Sequence, residues 1–297
     1  MALRRETKLL LAFISPWMIG FTMFLIGPMV ASLYLAFTRY SIQSYPRWVG
    51  LQNFRAVFLG WEPNFYHSLQ VTLVYVILAV PMGLIVALSA ALLLNLQSIK
   101  GKSIFRTLFF LPSLLPVAAS GIVWAWVFNP KNGLLNRVIE LVSGQQGPEW
   151  LSNPRLALYC LVVIATWGFG GGMIIFLAGL QGVPRHLMEA ALIDGANMWQ
   201  RFRHVTIPQI SPVIFFNLIM GMIGAMQVFS VAYIFQQADA SVSREATHFY
   251  VLNIFYHAFL YDRFGLACAL AWVLFVMILI LTSVQFWAGR KWVHYES

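Results

Sequence analysis

The chain has 297 residues, of which 60% are apolar and only 10% are charged, with a formal net charge of +9 and a mean hydropathy of +0.75. Soluble domains carry roughly 45–50% apolar and about 25% charged residues, so this composition excludes an ordinary soluble globular protein. Lipid is therefore expected to be the solvent for much of the chain.

Six long apolar segments predict an all-α integral membrane protein. Each exceeds the ~20 residues that a helix needs to cross the hydrocarbon core, whereas a β-barrel would show alternating polarity in pieces of about 10 residues. We expect one transmembrane domain over residues 1–297, with Pro81, Pro112 and Pro116 as candidate kink positions. The predicted spans are Leu9–Phe37, His67–Leu94, Thr107–Phe128, Leu156–Gln181, Gln209–Phe235 and Phe264–Ala288.

The first span follows three basic residues, Arg4, Arg5 and Lys8. Its apolar run is longer than the h-region of a signal peptide, which has about 7–15 residues, so we expect a retained helix. Six spans place both termini on one side. If that side is the cytoplasm, the inner segments carry eleven Lys and Arg residues and the outer segments carry eight. This bias predicts cytoplasmic termini. Membrane topology and contact with anionic lipid account for the positive net charge, so no nucleic-acid partner is expected.

No motif for catalysis, nucleotide binding or metal binding is recognisable in the sequence. Gly101–Ser103 resembles the end of a P-loop, but Leu96 occupies the position that requires glycine. The stretch Gly168–Gly172 fails the dinucleotide-binding fingerprint because Met173 follows it. The six histidines lack a paired metal-ligand spacing such as H-E-x-x-H. We therefore expect no catalytic residue, metal site or cofactor on this chain.

A polar segment at residues 183–208 separates the fourth and fifth predicted spans. Gly195 favours a break there, because glycine adopts backbone angles closed to other residues, and Pro208 marks a boundary with the next span. A helix lying on lipid headgroups is the alternative, which the acidic Glu189 and Asp194 fit poorly. Apolar or small residues recur in the segment at spacings of three and four, as on one helical face: Met188, Leu192, Gly195, Trp199 and Phe202.

The same segment resembles the EAA loop of ATP-binding-cassette importer permeases. The family pattern is E-A-A-x-x-x-G, about nine residues, then an aliphatic residue, a variable residue, an aliphatic residue and proline. Val205 stands where isoleucine is usual. The preceding segment Leu177–Pro184 is similar to one in carbohydrate importers of the maltose and glycerol-phosphate type. Two outer segments, Val49–Phe54 and Trp124–Asn136, are similar to the first permease of each such pair. The matching positions are Glu189, Ala190, Ala191, Asp194, Gly195, Ala196, Val205, Ile207 and Pro208.

The resemblance implies a fold, a set of partners and a location. The fold is the six-helix MetI-like permease fold in a prokaryotic plasma membrane. The partners are a second homologous permease, two ATPase subunits that hold ATP and Mg²⁺, and an extracytoplasmic solute-binding protein. The loop at residues 183–208 would couple ATPase closure to alternating access. Its expected ATPase-coupling residues are Met188, Glu189, Ala190, Ala191, Leu192, Asp194, Gly195, Ala196 and Trp199.

The path of the solute is expected among polar and small residues at mid-membrane depth, where an uncompensated polar group is costly. Aromatic faces and amide groups suit sugars, whose C–H faces pack on rings and whose hydroxyls form hydrogen bonds. Helix packing is the alternative role, since Gly168 and Gly172 have the G-x-x-x-G spacing. The candidates are Thr166, Trp167, Gly168, Asn217, Gly221, Gly224 and Gln227.

A self-sufficient secondary transporter or channel is the alternative function. Proton- and sodium-driven carriers usually place ionisable residues inside their spans. None of the ten acidic residues falls in the middle of a predicted span, and Asp262 lies only at the edge of the sixth. This distribution favours an importer that takes its energy from another chain. The identity of the solute does not follow from the sequence.

Overall fold

A computed structural model of the protein describes residues 2–96, 98–238 and 242–294. The chain clusters into two compact units. The first unit consists of the chain up to Phe65 together with Asn253–Met277, and the second consists of Tyr66–Leu252 together with the chain from Ile278 onward. One transmembrane domain over residues 1–297 stays a prediction, which this division does not decide.

Helices dominate both units, in agreement with the predicted fold class. The helices are α1 (Ala2–Phe21), α2 (Gly27–Ala36), α3 (Gln52–Phe58), α4 (Phe65–Asn95), α5 (Lys102–Leu114), α6 (Val117–Val127), α7 (Leu134–Ser143), α8 (Pro154–Trp167), α9 (Gly170–Gly182), α10 (Arg185–Ile193), α11 (Met198–Arg201), α12 (Ile207–Gln209), α13 (Ser211–Met226), α14 (Ser230–Ala238), α15 (Arg244–Thr247), α16 (Tyr250–Phe255) and α17 (Phe264–Gly289). The strands are β1 (Thr38–Ser41) and β2 (Ser44–Trp48), and π-helical turns lie at Thr22–Ile26, Phe202–Thr206 and Tyr256–Leu260.

Four helical segments are long and apolar enough to cross a membrane: Leu10–Ala36, Phe65–Asn95, Ser211–Gln237 and Phe264–Gly289. Two further pairs of helices, α5 with α6 and α8 with α9, are long and apolar enough to cross a membrane if each bent pair counts as one span, which gives up to six spans. The first segment remains helical through a π turn just before Pro28, whose missing N–H and ring disfavour regular α-helical hydrogen bonding.

The third predicted span, Thr107–Phe128, is not one straight helix. It consists of α5 and α6, which bend by 96° at a break around Leu115 and Pro116. Leu115 is extended, with φ −71° and ψ 135°, because a residue before proline is disfavoured in the α conformation. The fourth predicted span bends by 48° between α8 and α9, beside Gly168. Pro81, in contrast, lies within the continuous helix α4.

The first unit contains a β-hairpin that the sequence analysis did not predict. Strands β1 and β2 pair antiparallel, and the side-chain amide of Asn53 donates to the carbonyl oxygens of Ala36 and Thr38, both at 2.8 Å. A Cβ atom at Gly265 would collide with the Thr38 carbonyl oxygen. Glycine at the start of α17 therefore allows the hairpin to pack against that helix.

The second unit has its core where α4 meets α9. Small side chains on α4 let the two helices approach closely, and Ile210 completes the cluster from the chain between α12 and α13. Val183 and Ile207, at the two ends of the polar segment, pack against this cluster. The core therefore positions the segment at residues 183–208. Its buried members are Ala87, Ala90, Ala91, Leu94, Met173, Phe176, Leu177, Leu180 and Ile210.

Candidate functional site

The first half of the loop at residues 183–208 is α10, which ends in a Schellman motif. Gly195 has a φ of +75° and donates its N–H to the Leu192 carbonyl at 3.0 Å. The N–H of Ala196 reaches back to the Ala191 carbonyl at 2.9 Å. These two bonds satisfy carbonyls that the end of a helix would otherwise leave without partners. The left-handed Gly195 therefore terminates α10, whose last residue is Ile193 and whose C-cap is Asp194.

The second half of the loop begins with a capping box. The Asn197 side chain accepts from the Gln200 N–H at 2.9 Å, and the Gln200 side chain accepts from the Asn197 N–H at 2.8 Å. This pairing starts α11, and the π turn at Phe202–Thr206 joins it to α12, which contains Pro208. This box was not predicted, although the N-x-x-Q spacing of a capping box is readable from the sequence.

The structure divides the predicted apolar face of the loop between two surfaces. Leu192 and Trp199 are exposed by 53% and 64%, whereas Met188 and Phe202 are half-buried in a cleft behind the loop. On each side of Gly195 the residue nearer the turn is exposed, and the residue farther from the turn lines the cleft.

Two further residues of the exposed surface were missed in the sequence. Ile193 and Met198 are exposed by 87% and 71%, and they flank the Gly195 turn. Ile193 lies at no spacing of three or four from the predicted face, whereas Met198, three residues after Gly195 and four before Phe202, fits that spacing and was overlooked. Together with Leu192 and Trp199 they form the apolar surface of the loop.

Behind the loop lies a cleft of about 760 Å³. Arg185, Met188 and Glu189 of α10 line it on one side, and Arg201 lines it on the other. Glu189 is exposed and forms no ion pair with any residue in the described part of the chain. Its carboxylate is thus available to a group outside this chain.

The remaining predicted coupling residues lie on α10 and in the turn that follows it. Ala190 and Asp194 are exposed, and Ala191 and Ala196 are half-buried. Alanine is the strongest helix former, so the two alanines of α10 stabilise the helix while adding little bulk. These two positions therefore add little side-chain bulk to the surface of α10.

Three of the solute-path candidates, Asn217, Gly221 and Gly224 on α13, line a cavity of about 360 Å³. Residues from α4, α8 and α9 complete its wall, and most of them are apolar. The Asn217 amide donates to the carbonyl oxygen of Val213, one turn earlier in the same helix, at 2.9 Å.

The other four candidates lie elsewhere. Trp167 and Gly168 line a neighbouring cavity of about 280 Å³, where Trp167 packs edge-to-face on Trp124 with ring centroids 5.6 Å apart. The Thr166 hydroxyl donates to the Val162 carbonyl at 2.8 Å. Thr166 and the exposed Gln227 line neither of these two cavities.

The two cavities are adjacent, since Tyr75, Ala165 and Val228 line both. The structure thus gathers five of the seven candidates around this pair of cavities. Their contact with a solute stays a prediction. Within residues 2–96, 98–238 and 242–294, no three His, Cys, Asp or Glu side chains are grouped so that they could hold a metal ion.

Comparison with known proteins gives concordant matches. Residues 63–294 match the family model described as "Binding-protein-dependent transport system inner membrane component". The chain is 42% identical over 297 residues to a probable ABC transporter permease protein of Bacillus subtilis (strain 168), covering 100% of this chain and 95% of the relative. It is 31% identical over 294 residues to the trehalose/maltose transport system permease protein MalF of Thermococcus litoralis, covering 96% and 95%.

A solved structure shows the same fold. It is a bacterial alginate ABC transporter in complex with an alginate pentasaccharide-bound periplasmic protein, and one of its chains superposes with a TM-score of 0.82 at 22% sequence identity. The match covers 97% of this chain and 96% of that one. The extent of the family match and the identity to the relatives lead to one conclusion: this chain belongs to the family of inner membrane components of binding-protein-dependent transport systems, as an ABC transporter permease.

Proposed function

We propose that this permease imports a carbohydrate, in a complex with a second homologous permease and two ATPase subunits that hold ATP and Mg²⁺. An extracytoplasmic protein delivers the solute, and both termini of this chain lie in the cytoplasm of a prokaryotic cell. The names of a trehalose/maltose permease relative and of an alginate transporter with the same fold support a carbohydrate. This assignment excludes the alternative of a self-sufficient secondary transporter or channel.

The observation that carries the coupling role is the exposed apolar surface beside a rigid turn. Leu192, Ile193, Met198 and Trp199 are each more than half exposed, and the Schellman motif and capping box fix the backbone between them. A partner that covers these side chains would remove apolar area from water, at about 25 cal/mol per Å². The surface therefore suits a groove on an ATPase subunit.

The attachment of the loop to the core supports transmission of movement. Val183 and Ile207 pack on the cluster between α4 and α9, so a displacement of the loop acts on the ends of α9 and α13. Protein interiors are close-packed and transmit strain. ATPase closure can thus bias an equilibrium between inward-facing and outward-facing states by the difference in contact energy between them.

The cavity beside Asn217 is proposed as this chain's share of the solute path. Its volume of about 360 Å³ is at the lower end of the roughly 300–1,000 Å³ of ligand sites. An oligosaccharide would need more room, so we expect the second permease to supply the opposite wall. The apolar lining suits sugar C–H faces, and Asn217 supplies a polar group.

Purification of the assembled complex tests this function. The chain should co-purify with a second permease and two ATPase subunits, and ATP hydrolysis should rise when the solute-loaded binding protein is added. This chain purified alone should hydrolyse no ATP. Robust hydrolysis by the chain alone, or solute accumulation in vesicles that contain only this chain, would contradict the proposal.

A further inference from the structure

We propose that Arg39 and Arg47 of the β-hairpin bind the phosphate of an anionic phospholipid headgroup. The two residues are direct partners across the antiparallel ladder, and both are exposed. Side chains directly opposite each other emerge from the same face of a sheet, and like charges in that arrangement repel. An anion held between the two guanidinium groups would remove this repulsion and accept hydrogen bonds from both.

The surrounding carboxylates do not serve as that anion. The segments that surround the hairpin, residues 37–65 and 253–264, contain two acidic residues, Glu62 and Asp262. Glu62 is buried against His257, and Asp262 accepts the Ile42 N–H at 2.8 Å. Neither arginine forms an ion pair among the residues that the structure describes.

The depth of the hairpin identifies the anion as a lipid phosphate. Strand β1 begins two residues after the membrane helix that ends at Ala36. The same strand packs against Gly265, in the first turn of the membrane helix that begins at Phe264. One strand therefore adjoins the ends of two spans, which is the level where the hydrocarbon core meets the headgroups.

Aromatic side chains hold the hairpin at this level. The Trp48 ring packs on Phe37 and Tyr34, with centroids 5.6 and 5.8 Å apart, and Tyr40 packs edge-to-face on Phe264 at 6.0 Å. Tryptophan and tyrosine are enriched at membrane interfaces. On the proposed topology the hairpin faces the outer leaflet, where the positive-inside rule offers no reason for paired arginines.

Fluorescence quenching of Trp48 gives a local test. The complex is placed in vesicles of phosphatidylcholine that contain either brominated phosphatidylglycerol or brominated phosphatidylcholine, and a Trp48→Phe variant supplies the background from the other tryptophans. Brominated phosphatidylglycerol should quench the Trp48 component more strongly. The apparent affinity for this lipid should fall about fivefold for each arginine changed to glutamine at positions 39 and 47.

Matched variants decide the interpretation. Arg55→Gln removes a nearby exposed arginine on α3 and should leave the preference unchanged, while Arg39→Lys with Arg47→Lys should retain part of it. Equal quenching by the two lipids in the unmodified chain would overturn the proposal, as would an equal loss in Arg55→Gln. Abolition of the preference by inorganic phosphate, against a chloride control of equal ionic strength, would assign the site to a soluble anion instead. The measurement needs no transport, so it stands apart from the test of the importer function.

Discussion

The carboxylate of Glu62 lies 3.0 Å from the Nε2 atom of His257, and both side chains are less than 5% exposed. The Asn64 N–H donates to the same carboxylate oxygen at 3.2 Å. His257 belongs to the π turn at Tyr256–Leu260, just before α17. The pair therefore joins the turn between α3 and α4 to the segment that enters the last membrane helix.

This pair predicts a loss of stability in acid. Burial alone would raise the pKa of the Glu62 carboxyl, but the hydrogen bond and charge of His257, with bonds from Asn64 and Asn253, outweigh it and lower that pKa. A lowered pKa stabilises the fold above the unfolded value of about 4.3, and this contribution is lost as the pH falls through the folded pKa. Thermal unfolding in detergent, followed from pH 7 down to about pH 3, should show this loss.

Substitutions identify the source of the effect. Glu62→Gln should destabilise the fold by about 1–3 kcal/mol at neutral pH and flatten its acid dependence. His257→Asn should shrink or reverse the acid loss, since it removes the group that lowers the pKa of Glu62 and leaves burial, which raises that pKa. Glu149→Gln, at an exposed carboxylate, is the control and should behave as the unmodified chain does. The assignment fails if Glu62→Gln leaves the acid profile unchanged.

A second prediction concerns Gly195 and the proposed ATPase contact. No atom lies within 4 Å of a Cβ built at Gly195, so a side chain leaves the backbone there into open space. Gly195→Trp should therefore insert in the membrane normally, with a backbone strain of about 1–2 kcal/mol, yet lose solute-stimulated ATP hydrolysis and uptake. Glu189→Lys should also lose solute-stimulated ATP hydrolysis and uptake, because the introduced lysine would repel a basic group on the ATPase.

Gly144 provides a matched control for that prediction. It also has a positive φ, of +69°, ends a helix and has no atom within 4 Å of a built Cβ. Gly144→Trp imposes the same backbone strain outside the coupling loop and should leave transport coupled. Equal losses of uptake in the two tryptophan variants would show that backbone strain alone explains the effect. Normal uptake by Gly195→Trp would show that Gly195 does not lie at the contact with the ATPase.

A third prediction uses two adjacent glycines at the start of α9. A Cβ at Gly170 would lie 2.5 Å from the Phe109 carbonyl oxygen of α5, whereas a Cβ at Gly171 meets nothing within 4 Å. Gly170→Ala should force α5 and α9 apart and lower the unfolding temperature. Gly171→Ala should be neutral or stabilise the helix by up to about 1 kcal/mol. Equal unfolding temperatures for the two variants would contradict the packing of α5 on α9.

The sequence predicted those features of the fold that depend on composition over long segments of the chain. Apolar segments longer than about 18 residues mark spans irrespective of neighbours, and Gly195 indicated the break after α10. The hairpin escaped prediction because its turn is Ile42–Gln43, without the Asn-Gly or Asp-Gly signal of short hairpins. Pro116 was a candidate kink position, but neither the 96° size of the bend nor the extended break at Leu115 follows from the sequence, since a proline can kink a helix or end it, and packing decides which.

The solute-path candidates show a second limit of sequence reasoning. Depth along a helix is readable from the sequence, but the direction of each side chain depends on neighbouring helices. Gly221 and Gln227 both lie on the fifth predicted span, yet only Gly221 lines the larger cavity. Trp167 packs on Trp124, a contact between α8 and α6 that no local pattern indicates. Substitution at these positions is therefore the remaining test.

Alanine substitutions should distinguish solute contact from helix packing. Asn217→Ala, Trp167→Ala and Gln227→Ala should each lower uptake while the binding protein keeps its affinity for the solute. One lost hydrogen bond nets about 0.5–1.5 kcal/mol, so the reduction for Asn217 should be about tenfold at most. Thermal unfolding is measured in parallel, because a packing role for Trp167 would lower stability together with uptake.

Cysteine accessibility tests whether the larger cavity belongs to a water-filled path. In a chain carrying Cys160→Ala and Cys268→Ala, Gly224→Cys adds a thiol where nothing lies within 4 Å of the new Cβ. A charged, water-soluble thiol reagent should modify it at rates that differ between nucleotide states, because alternating access opens the cavity to water in only some of them. Ile280→Cys, on the membrane helix α17 and 54% exposed, should stay unreactive, since lipid or a neighbouring helix covers it. If the thiol at position 224 stays unmodified in every nucleotide state of a complex that still transports, the cavity beside Asn217 is packed helix surface and lies outside the path of the solute.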